Sequence, residues 1–172
     1  MAQIEVQKSL YESVTTNRQN QLNKPSLSTA ISKVLKSRKA KDLESKTVRV
    51  DLYILAHDGT EFFFEIKSPK PNKGQCLEIT ERLLRFHLLR GANCPELQAY
   101  YAMPYNPYGS SKSDYKWSQA ISYLPFNEAV VIGQDFWTIV GGETAYTELL
   151  EIYMEVGRDK GKYMLDSLAF GF

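Results

Sequence analysis

Residues that build covalent or metal frameworks are scarce here: the 172-residue chain has two cysteines and two histidines. Cys76 and Cys94 form no Cys-x-x-Cys pair and have no histidine at ligand spacing, which leaves no cysteine–histidine metal cluster and predicts reduced, partly buried thiols. His57 falls in a turn signal and His87 on a helical pattern, again away from metal-ligand spacing. No apolar run approaches the length of a membrane span, and the N-terminus lacks a signal-peptide pattern, so a cytoplasmic protein is expected. Internal repeats and low-complexity tracts are absent. A strong net charge is absent too, and +1 overall says nothing about partners. What is present is an ordinary globular composition, 43% hydrophobic and 24% charged, in a chain long enough for one domain with a sizeable core.

The charge is unevenly spread. Residues 1–49 carry ten Lys/Arg against four Asp/Glu, and residues 114–172 carry four against nine. The basic front is a candidate phosphate-facing surface; solvated helix faces would give the same excess.

Apolar spacing at Ile4, Val6, Leu10, Tyr11 and Val14 predicts a helix over 3–15, followed by a polar loop to Pro25. Ser26 is a candidate cap for a second helix carrying Leu27, Ala30, Ile31, Val34 and Leu35. A basic connector spans 37–46. Alternation then predicts a strand from Val48 to Ala56, a turn at His57-Asp58-Gly59 and a return strand from Glu61 to Lys67. Ser68-Pro-Lys-Pro-Asn-Lys-Gly74 breaks regular structure, because its prolines and glycine oppose it. A helix over 76–89, a strand over 98–103, a tyrosine-rich loop to about Lys116, a short strand over 128–132 and helices over 134–140 and 143–156 complete the order. That order predicts an α/β fold with a mixed central sheet flanked by helices.

The hairpin carries the chemistry. Side chains alternate faces along a strand. Val48, Val50, Leu52 and Ile54 share one face, as do Phe62, Phe64 and Ile66. Both sets reach one core only if cross-strand partners sum to an even number. That pairs Val50 with Ile66, Leu52 with Phe64 and Ile54 with Phe62. The same register sets Asp51 opposite Glu65, with Lys67 next along that face. It requires a three-residue turn with Gly59 left-handed. Two adjacent carboxylates repel unless something neutralises them. A divalent cation does so through oxygen ligands, leaving positions for water and a phosphate oxygen. The Ile66 carbonyl, between the two, is a candidate extra ligand. Lys67 is placed to orient the water or to stabilise charge building on the phosphate. This pattern points to a metal-dependent phosphodiesterase; a surface hairpin with a Glu–Lys cross-strand pair is the plainer alternative.

The loop that follows offers phosphate contacts in Lys70 and Lys73. Asn72 and Gln75 are side chains suited to base edges, sugars or phosphates. Further along, Tyr105, Asn106 and Lys112 are candidate nucleic-acid contacts, although an aromatic loop packed on the core fits them equally. Trp137, Tyr146, Leu149, Leu150 and Tyr153 fall at helical spacing and read as core or dimer surface. Gly141-Gly142 lacks the spacing and lysine of a phosphate loop.

Phe64-Glu-Ile-Lys-Ser-Pro-Lys-Pro-Asn-Lys-Gly-Gln75 resembles the catalytic strand and following loop of the TdeIII-type family of type II restriction endonucleases. Weaker matches follow in order at 99–108, 115–117, 136–142 and 146–157. The resemblance implies a PD-(D/E)xK, restriction-endonuclease-like fold and Mg2+, with Mn2+ as substitute. It implies double-strand cleavage at a short palindromic DNA site, GGNCC being the family's suggestion. A homodimer matches such a site, and a cognate DNA methyltransferase is the expected genetic partner in a prokaryotic cell. Asp51, Glu65 and Lys67 become the catalytic set, and Asp51, Glu65 and the Ile66 carbonyl the metal ligands. Glu12 is the candidate third carboxylate. Val50 stands where the motif has proline. The expected organisation is a single domain over 1–172: a helical N-terminal region over 1–47, a family-like core over 48–157 and a C-terminal segment over 158–172. A repair, junction-resolving or nicking nuclease of the same fold, and a catalytically inactive DNA-binding domain, are the other readings of these residues.

Overall fold

The computed structural model describes residues 26–36, 47–91 and 96–170. The expected helix over 3–15, the connector over 37–46, Cys94 and the candidate ligand Glu12 lie outside them. The described elements run α1 (Leu27–Lys36), β1 (Leu52–Leu55), β2 (Glu61–Ile66), α2 (Lys73–Arg90), β3 (Leu97–Met103), a 3-10 turn (Lys112–Asp114), α3 (Ser118–Tyr123), α4 (Phe126–Ala129), β4 (Val130–Ile132), α5 (Gln134–Gly141) and α6 (Ala145–Phe170).

The strands form one sheet in the order β1-β2-β3-β4, antiparallel between β1 and β2 and parallel thereafter. This is the mixed sheet flanked by helices that the element order predicts. The hairpin register is the even one, with Leu52 opposite Phe64 and Ile54 opposite Phe62. Its turn holds three residues: Ala56 N–H donates to the Thr60 carbonyl at 2.9 Å. Gly59 closes the turn at φ 88°, a conformation in which a Cβ is strained.

Each face of the sheet has its own core. On one, α1 and α2 bring Val34, Ile79, Leu83 and Phe86 against Ala99, Tyr101, Met103 and Val130. On the other, Phe64, Ala102 and Val131 meet Phe136 of α5, with Leu52, Ile54, Phe62 and Ile66 around them. Covering both faces makes the central strands largely apolar on both sides, except where Glu61 and Glu65 enter the first core's side of the sheet.

Several boundaries differ from expectation for local reasons. β1 is shorter than 48–56, because the chain bends at Asp51. Val48 and Val50 consequently pack with the α1/α2 core rather than on the face of Leu52 and Ile54. The strand expected over 128–132 begins at Val130, because Pro125 opens a helical turn ahead of it. The last helix runs through Gly157 and Gly161 to Phe170. α3 is a helix absent from the expected order, its few apolar residues being too sparse to mark a stripe.

Candidate active site

Asp51, Glu65 and Lys67 converge at the end of the hairpin away from its turn. Lys67 Nζ lies 3.1 Å from Asp51 Oδ2 and 3.8 Å from Glu65 Oε2, so one ammonium spans both carboxylates. Asp51 Oδ2 also accepts the Ile66 N–H at 2.8 Å. Burial alone would raise the Asp51 carboxyl, but the Ile66 N–H and the Lys67 ammonium outweigh it and hold the group below its ordinary range. Glu65 behaves oppositely. Its side chain is fully buried and its carboxyl is raised, burial first among the causes; the charge of Asp51 adds to it against the pull of Arg82 and Lys67.

Arg82 projects from α2 and donates through Nη1 to Glu65 Oε2 at 2.7 Å. Its other terminal nitrogen reaches Glu78 Oε1 at 3.0 Å, one helical turn earlier. The second Glu65 oxygen, Oε1, is buried with no hydrogen-bond partner. A buried, unpartnered carboxylate oxygen is costly unless a donor or cation meets it. With Asp51 beside it, the set is oxygen-only, which suits a hard divalent ion such as Mg2+. Among the described residues no cluster of three or more His, Cys, Asp and Glu gathers around a metal position, so two carboxylates are what the described site offers. At Ile66 it is the N–H that engages Asp51.

The loop after Lys67 is fixed by three aromatic donors. Tyr101 hydroxyl donates to the Ser68 carbonyl at 3.2 Å, Tyr115 hydroxyl to the Pro69 carbonyl, and Trp117 Nε1 to the Pro71 carbonyl at 2.7 Å. Prolines remove backbone donors from this loop while leaving carbonyls to be latched. Lys70 reaches over the rings of Tyr108 and Trp117, which brings the 104–112 loop beside it. Lys73 lies over Tyr123.

The remaining candidates occupy mixed positions. Asn72 and Gln75 form the capping box of α2: Asn72 Oδ1 accepts the Gln75 N–H at 2.9 Å and Gln75 Oε1 accepts the Asn72 N–H at 2.8 Å. Their oxygens are therefore committed to the helix, and their amide nitrogens are the groups left to face a ligand. Asn106 Nδ2 donates to the Ser111 carbonyl at 2.7 Å, and its Oδ1 accepts the Tyr108 N–H at 3.0 Å, which holds its own loop. Lys112 turns its ammonium inward to the Val130 carbonyl at 2.5 Å. Tyr105 is exposed and lines an apolar cavity of about 330 Å³ with Trp137, Tyr146, Leu149, Leu150 and Tyr153. Cys76 is buried, and burial pushes its thiol up to about 11, so it is inert at neutral pH. Arg82 is the site residue that sequence reasoning missed. Its position three after Ile79 and four before Phe86, beside the stripe that meets the sheet, was the available signal.

Three comparisons bear on this arrangement. The family model described as HinfI, type II restriction endonuclease, matches residues 4–157. The chain is 46% identical over 152 residues to the type II restriction enzyme HgiCII of Herpetosiphon aurantiacus, covering 88% of this chain and 56% of that protein. It is 53% identical over 126 residues to the type II restriction enzyme HgiEI of the same organism, covering 73% of this chain and 46% of that one. Thus the chain spans about half the length of the curated relatives it matches. No solved structure matches it. The class implied by the TdeIII-type resemblance, type II restriction endonuclease, is also the class of the matching model; the family that model names is HinfI.

Proposed function

The chain belongs to the HinfI family of type II restriction endonucleases, and from that membership we propose that it hydrolyses phosphodiester bonds of double-stranded DNA at a short palindromic site. One observation carries the reading: Lys67 Nζ lies within 3.1 Å of Asp51 and 3.8 Å of Glu65, beside a buried Glu65 oxygen that has no partner. Asp51 and Glu65 would hold a divalent cation, Mg2+ or Mn2+, with the Ile66 carbonyl as a further ligand. When bound, the cation supplies Lewis acidity toward a phosphate oxygen and toward the attacking water. Lys67 then orients that water or donates to the oxygen on which charge builds, a position fixed by its two carboxylate neighbours. The Ile66 N–H keeps Asp51 in place, and the latched loop with the start of α2 would offer Lys70 and Lys73 to the phosphate backbone.

A palindromic site read on both strands calls for two copies related by a two-fold axis, so the active form is a homodimer. GGNCC is the proposed target, on the family resemblance alone, with a methyltransferase protecting the host's own copies. Incubation with long unmethylated DNA, with Mg2+ and with a chelator, tests the reading. Discrete bands that require Mg2+ are expected. Random degradation or nicking would replace it with a repair-type nuclease, and binding without any cleavage with an inactive DNA-binding domain.

A further inference from the structure

We propose that Arg82 is a positioning residue: it clamps one oxygen of Glu65 so that the other is presented to the cation. The inference rests on the metal-dependent reading above and adds a residue to it.

The geometry is a chain of three side chains. Glu78 on α2 holds one arm of the Arg82 guanidinium at 3.0 Å, and the other arm holds Glu65 Oε2 at 2.7 Å. Glu65 is fully buried, so water does not fix its rotamer, and Oε1 has no protein partner. A carboxylate free to turn would offer either oxygen, or Lys67 would draw it aside; that ammonium is 3.8 Å from Oε2. The planar two-armed guanidinium engages Oε2 from the helix side and leaves Oε1 as the single free acceptor. Lysine carries the same charge on a flexible stem and cannot bridge two carboxylates in one fixed plane. Outer partners of this kind orient a ligand rather than bind the metal.

Charge alone makes a different forecast for Arg82→Lys, which gives the test its edge. A cation beside the site repels a second cation but also keeps Glu65 ionised, so the two charge effects oppose each other in Arg82→Met. In Arg82→Lys charge alone leaves metal binding unchanged, which makes that the deciding variant. Positioning predicts that Arg82→Met weakens it by roughly 10-fold or more, with Arg82→Lys between the two. The experiment is titration of Mn2+ alone into the full chain, followed by calorimetry and by the spin-resonance signal of free Mn2+. Thermal unfolding and DNA binding are measured on the same samples. If Arg82→Met does not fold, Arg82→Lys, which keeps a charge opposite buried Glu65, decides the matter by being weaker than the parent. Parent-like or tighter Mn2+ binding in the folded variants overturns the clamp and leaves the endonuclease reading standing. Absence of Mn2+ binding in the parent chain overturns both.

Discussion

Lys67 is held between the Asp51 and Glu65 carboxylates at one end of the hairpin, the arrangement on which its proposed catalytic role rests. A surface Glu–Lys pair would place an exposed ammonium against one exposed oxygen. Here the lysine reaches both Asp51 and the buried Glu65. Lys67→Ala should therefore lower the cleavage rate by about 10²–10³-fold, the scale of losing one donor to developing charge. Single-turnover assays at saturating DNA measure it, and a rate within a few-fold of the parent would remove Lys67 from the chemistry. Asn72 separates two roles in another way. Asn72→Ala removes the α2 cap and should cost about 1 kcal/mol in unfolding experiments. Asn72→Asp keeps the capping oxygen, so it should retain stability while losing the amide donors and with them DNA affinity. Unchanged DNA affinity in Asn72→Asp would leave the residue with its capping role only.

At the scale of elements, the hairpin was legible in the sequence because its constraint is discrete. Parity admits two registers, and one of them puts Leu52 and Ile54 on the same face as Phe62, Phe64 and Ile66. The turn length then follows, and so does the approach of Asp51 to Glu65. Arg82 was not legible for the opposite reason. Its pairing with Glu78 has the i,i+4 spacing of countless solvated helix faces, and its reach to Glu65 depends on how α2 packs across the sheet. Tyr115 and Trp117 stand out as a motif, but that they latch the Pro69 and Pro71 carbonyls depends on tertiary packing. Trp117→Phe removes the donor together with part of the ring packed on the core, and should destabilise the fold by at least about 1 kcal/mol, read by denaturant unfolding. His87 on α2 gives a pH signature. Burial holds its imidazole neutral, lowering it from 6.5 to about 4. The unfolded chain takes up that proton near 6.5, and the folded chain only near 4. Stability from the neutral ring is therefore complete above the upper value and is lost as pH falls toward the lower one. Melting temperature should decline across that window, and His87→Gln should flatten the decline; equal slopes in the two proteins would count against it.

For the molecule as a whole, the sheet separates two cores, and the site opens at the hairpin end beside the first. An open groove is lined by Arg49, Glu78, Glu81, Arg82 and Arg85, with Arg82 and Arg85 paired to Glu78 and Glu81, and Arg82 connects it to Glu65. Leu150, Ile152, Tyr153, Met154 and Val156 on α6 are exposed large apolar side chains. Family membership gives a short and common carboxylate–lysine pattern the class of type II restriction endonuclease, and that chemistry is proposed for Asp51, Glu65 and Lys67. The most direct test is cleavage of long unmethylated DNA in Mg2+ by the Asp51→Ala variant, using protein that binds the DNA as the parent chain does. The account predicts bound but uncut DNA. Discrete fragments at the parent rate would contradict it.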